Sequence, residues 1–72
     1  MKKIRKKSLI EAESNAKLHS KMNPDIDVWV MDKKNQRAVV CANERVRELR
    51  TFHGWQTVNT YRNGKEVKQW ID

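Results

Sequence analysis

Asn63-Gly64 is the feature that most restricts how this chain folds. An Asn-Gly pair between two strand-like runs is a strong signal for a two-residue hairpin turn, because both central residues need positive φ. Trp55 to Arg62 and Lys65 to Ile71 are those runs. The turn fixes register: Arg62 falls opposite Lys65, Tyr61 opposite Glu66, Thr60 opposite Val67 and Thr57 opposite Trp70. One face of this 55–71 hairpin then carries Val58, Thr60, Val67 and Ile71. The other carries Trp55, Tyr61 and Trp70 among Thr57, Asn59 and Lys68.

The segments before the hairpin alternate in type. Ser8-Leu9-Ile10-Glu11 fits a capping box, in which serine and glutamate side chains satisfy each other's backbone amides. A helix over 9–22 follows, free of Gly and Pro, with a helpful Glu13–Lys17 spacing. Asn23-Pro24 ends it, since the residue before proline avoids helical geometry. Its apolar face is thin: Leu9, Ala12 and Ala16 on one stripe, Leu18 and Met22 on another. Residues 26–31 alternate as a strand, with Ile26, Val28 and Val30 on one side and Trp29 and Met31 on the other. Asp32 to Gln36 is a polar turn. Residues 37–41 form a second strand, apolar on both sides. Asn43 caps a short helix over 43–52, with Val46, Leu49 and Phe52 as its expected buried stripe and Arg47 and Arg50 outside. Gly54 closes it.

The expected fold is therefore a small single α+β domain of order αββαββ. Four strands form an antiparallel sheet with helical cover on one face. At 72 residues, with 38% hydrophobic content, the core is small. A stable body benefits from a partner surface, a second copy included.

Charge is distributed unevenly. Lys2, Lys3, Arg5, Lys6 and Lys7 are five of the 16 basic residues, while all 9 acidic ones come later. Residues 1–7 read as a flexible cationic arm attached to a nearly balanced body, 8–72, and account for most of the net charge of +7. Such an arm seeks polyanions without choosing among them.

Several classes are disfavoured. The single Cys41 makes no intrachain disulfide, which fits a reducing cytoplasm. Residues 2–7 resemble the start of a signal peptide, but the apolar stretch does not follow. Nothing approaches the ~18 apolar residues of a membrane span. Asp25, Asp27 and Asp32 are placed as turn-forming residues rather than as a metal set. Cys41 with His19 or His53 is a poor nucleophile–base pair, given the apolar strand around the thiol. No enzyme, cofactor, metal or small-molecule substrate is expected.

Two functional expectations remain. The first is a small nucleic-acid-binding accessory or regulatory module for DNA or RNA. Phosphate contacts would come from Lys2, Lys3, Arg5, Lys6 and Lys7 in the arm and from Arg47, Arg50, Arg62, Lys65 and Lys68 in the body. Trp55, Tyr61 and Trp70 are candidate stacking rings, although a chain this poor in apolar area has stronger need of them in its core. The second is a protein-interaction module, an adaptor or inhibitor docking on a larger protein or its own copy, with no nucleic-acid role.

Overall fold

The computed structural model describes residues 6–67. Its elements are α1 (Lys7–Met22), β1 (Asp27–Asp32), β2 (Val39–Cys41), α2 (Glu44–Phe52), β3 (Gln56–Arg62) and β4 (Lys65–Glu66). The order αββαββ is the expected one. The strands form one antiparallel sheet in the order β2-β1-β3-β4, so α2 carries the chain across β1 from one neighbour to the other.

The pleat of β1 explains the layering. Val28 and Val30 point to one face, are fully buried, and meet Ala12 and Ala16 of α1. Tyr61 of β3 and Ala38 complete this cluster, with Leu9 and Val40 at its margin. The thin alanine face of α1 is thus no defect, because small side chains let the helix lie close to the sheet. Polar contacts hold it there. Ser20 Oγ accepts the Gly64 N–H at 2.9 Å, Ser8 Oγ accepts the Ala38 N–H at 3.1 Å, and Asn59 Nδ2 donates to Glu13.

The Ser8 contact replaces the expected capping box. The helix begins at Lys7, its cap residue is Lys6, and no side chain caps it. Ser8 instead satisfies an amide just before β2, where an unpaired buried N–H is costly. At the other end Asn23 closes the helix, its backbone and side-chain N–H groups both donating to the His19 carbonyl at 3.1 Å.

Trp29 points to the opposite face of the sheet, and α2 lies there. Cover is therefore on both faces, not on one as expected. The rotation of α2 also differs from the sequence reading. Arg47 and Arg50 are half-buried, Val46, Leu49 and Phe52 are exposed, and no residue of α2 is buried. Arg47 places its guanidinium carbon 4.9 Å from the Trp29 ring centroid. A planar cation over an indole face offers both stacking and electrostatic attraction. This contact turns the apolar stripe of α2 outward.

The hairpin forms as its dipeptide requires. Asn63 and Gly64 have φ of 52° and 75°, and Arg62 pairs with Lys65, Tyr61 with Glu66. The Val67 N–H donates to the Thr60 carbonyl at 2.7 Å, continuing the register. The pairings expected beyond it lie outside the described residues. Along β1 the ladder shifts between Val30 and Met31, opposite Asn59 and Thr57, which leaves Val58 as the extra residue of a bulge. The second strand is shorter than expected, starting at Val39 rather than at residue 37.

Candidate nucleic-acid interface

The basic residues anticipated from sequence occupy different places. Lys2, Lys3, Arg5 and Lys68 lie outside the described residues, as does Trp70. Lys6 and Lys7, expected in a flexible arm, belong to the folded body. Lys7 opens α1, and the Lys6 ammonium donates to Asp32 Oδ1 at 2.8 Å, the Lys33 carbonyl at 3.0 Å and the Gln36 carbonyl at 2.8 Å. Its three N–H groups are thereby used.

Arg62 sits at the other end of β1, donating to Asp27 Oδ1 and to the Asp25 carbonyl, both at 3.1 Å. Lys65 is its cross-strand neighbour and is exposed. The five steps of β1 from Asp27 to Asp32 separate the two ends of the sheet by about 17 Å. Arg47 is held against Trp29, and its Nε is buried without a hydrogen-bond partner. Arg47, Arg62 and Lys6 therefore do not form one surface. Nor do the rings: Tyr61 is buried under α1, and Trp55 is half-buried as its N–H donates to the Arg50 carbonyl at 2.9 Å.

The basic residues that do gather are Lys6, which the sequence reading named, and Lys33 and Lys34, which it passed over. The turn after β1 closes with the Gln36 N–H on the Lys33 carbonyl at 3.0 Å and with Asn35 at φ 66°. Asparagine tolerates that left-handed geometry better than most residues. Lys33 Nζ reaches back to the His53 carbonyl at 2.8 Å, linking the turn to the end of α2. Between these segments opens a cleft of about 580 Å³, lined by Lys6, Asp32, Lys33, Lys34, Asn35, Gly54 and Gln56.

Three cations and one carboxylate line this cleft. The Lys6–Asp32 pair largely compensates itself, which leaves Lys33 and Lys34. Lys33 retains two N–H groups after its bond to His53. The side chains of Lys34, Asn35 and Gln56 make no hydrogen bond among the described residues, so further donors remain available. Among the described residues no aromatic ring lines the cleft. The described lining offers N–H donors suited to an oxyanion and no ring on which a base could stack. Lys33-Lys34 is visible in sequence as a dibasic turn. Its meeting with Lys6, 27 residues earlier along the chain, is visible only in the fold.

Other chemistry finds little here. The Cys41 thiol is buried and donates to the Asn43 carbonyl at 3.2 Å, while His19 and His53 are exposed. Among the described residues no group of His, Cys, Asp or Glu is placed to hold a metal ion, and no helix is long and apolar enough to cross a membrane.

Comparison with family models, with curated proteins and with solved structures found no significant match to this chain.

Proposed function

We propose that this protein is a small nucleic-acid-binding accessory module that contacts phosphates without reading sequence. One observation carries the reading. Lys6 is fixed at the rim of a cleft lined also by Lys33 and Lys34, so the chain carrying Lys2, Lys3 and Arg5 joins the body at its own cationic cleft. Cations grouped in one place raise the local concentration of a polyanion more than the same charges scattered over a surface. The donors in the described lining, lysine ammoniums and side-chain amides, suit phosphate oxygens, which favours backbone contact. Arg62 and Lys65, at the far end of the sheet, are outside this surface.

Fluorescence anisotropy of labelled single-stranded DNA and RNA tests the proposal. Replacing Lys2, Lys3 and Arg5 together with glutamine is expected to weaken binding to every sequence alike. Undiminished affinity in that variant, or no binding by the native chain at low salt, contradicts it.

A second reading has its own observation. Val46, Leu49 and Phe52 form an outward apolar edge on α2, with Phe52 85% exposed. An exposed apolar edge on a short amphipathic helix favours a protein contact. Light scattering across a concentration series bears on it: a second copy as occupant gives a mass that rises with concentration and falls back in Phe52→Ser.

A further inference from the structure

The composition of the Lys6 cleft bears on which kind of phosphate it would favour, a question that rests on the nucleic-acid reading of this protein. After Lys6 and Asp32 offset each other, Lys33 and Lys34 leave two positive charges with no further carboxylate among the described lining residues. An internal phosphodiester carries a single negative charge. A phosphate monoester carries about −1.5 to −2 near neutral pH and presents three acceptor oxygens. The donors in the cleft match the second kind of group: two N–H on Lys33, the ammonium of Lys34, and the side-chain amides of Asn35 and Gln56.

The local architecture holds these donors in place. Lys33 is held by the His53 carbonyl, so part of its rotamer freedom is already lost before a ligand arrives. The turn that carries Lys34 and Asn35 is closed by the Gln36–Lys33 backbone bond and pinned from below by Lys6. Gly54 lines the cleft with φ of +95°, a conformation that side-chain-bearing residues rarely adopt. Glycine there also keeps the wall free of a side chain.

We infer that the cleft binds the terminal phosphate of a nucleic-acid strand, so that the module prefers phosphorylated strand ends to internal segments. Lys33 and Lys34 supply the charge, and Asn35 and Gln56 the neutral hydrogen bonds. The arm residues Lys2, Lys3 and Arg5 supply the general attraction to the rest of the strand.

The test uses the full chain and one ten-nucleotide single strand prepared with a hydroxyl at both ends, with a 5′-phosphate, or with a 3′-phosphate. Anisotropy competition at fixed ionic strength is expected to rank one phosphorylated form about five- to tenfold above the hydroxyl form. Lys34→Gln removes a side chain with no bond inside the described body, so its fold is retained. This variant is expected to reduce the preference at least twofold, and Lys33→Gln/Lys34→Gln to abolish it while binding of the hydroxyl form persists. Equal affinity for all three strands overturns the inference but leaves general nucleic-acid binding intact. Failure of all three to bind overturns both. Inorganic phosphate and pyrophosphate, titrated separately, distinguish the source of the group. Saturation of the cleft by either as tightly as by the strand assigns it to a free anion and overturns the strand-end assignment.

Discussion

Replacing Lys6 with methionine removes the side chain that donates three bonds from the start of α1 to the β1–β2 turn. Its size can be worked from the contacts. The Lys6–Asp32 pair spans 2.8 Å, with the two side chains 37% and 25% exposed, so solvent screens much of the attraction. About 0.5 kcal/mol is appropriate for such a pair. The bonds to the Lys33 and Gln36 carbonyls are charge-assisted but reach a wet rim, and together contribute about 1 kcal/mol. Lys6→Met should therefore destabilise the protein by about 1.5 kcal/mol, which for a domain of this size lowers Tm by roughly 6–12 °C. Asp32→Asn, which removes only the charge, should cost about a third as much. Circular-dichroism melts with a matching urea titration read both. A change below about 0.3 kcal/mol in Lys6→Met, at the limit of a neutral surface substitution, refutes the anchoring of Lys6 at the rim of the cleft.

Other perturbations probe the packing. Ser20→Ala leaves the Gly64 N–H without its acceptor and should cost about 1–2 kcal/mol in urea denaturation, with Ser14→Ala on the exposed side as a near-neutral control. Gly64→Ala meets a φ of +75° and a Lys21 Cβ only 3.2 Å from the new methyl, and should cost about 1–2 kcal/mol. The orientation of α2 makes an inverted forecast: Phe52→Ser stays within about 0.5 kcal/mol of the native chain, whereas Arg47→Ala costs about 1 kcal/mol through loss of its stack on Trp29. If Phe52→Ser proves the more damaging of the two in thermal melts, α2 packs by its apolar stripe after all.

What could be read from the chain followed from local chemistry. Asn63-Gly64 dictates its own φ values, so the hairpin register next to the turn, from Arg62–Lys65 to Thr60–Val67, emerged from two residues. The Val28/Val30 alternation and the Asn23-Pro24 stop are equally local, and the αββαββ order follows from them. The departures come from contacts between residues far apart in sequence. Ser8 has the chemistry of a cap, but the Ala38 amide 30 residues away has the stronger need of its oxygen. The α2 stripe looks buried on a helical wheel, which has no knowledge of the Trp29 ring waiting for an arginine. Lys33 and Lys34 read as an ordinary polar turn until folding brings Lys6 and Gly54 beside them. A basic cleft assembled from three separate segments has no signature in any one of them.

The salt dependence of strand binding tests the central claim most directly. With Lys2, Lys3, Arg5, Lys33 and Lys34 as phosphate contacts, the logarithm of the association constant should fall linearly with the logarithm of salt, with a slope of about −3.5 for single strands. That amounts to roughly a hundredfold loss of affinity between 50 and 200 mM monovalent salt. A slope near zero, or no detectable binding even at the lowest salt, contradicts the assignment of this protein to phosphate recognition.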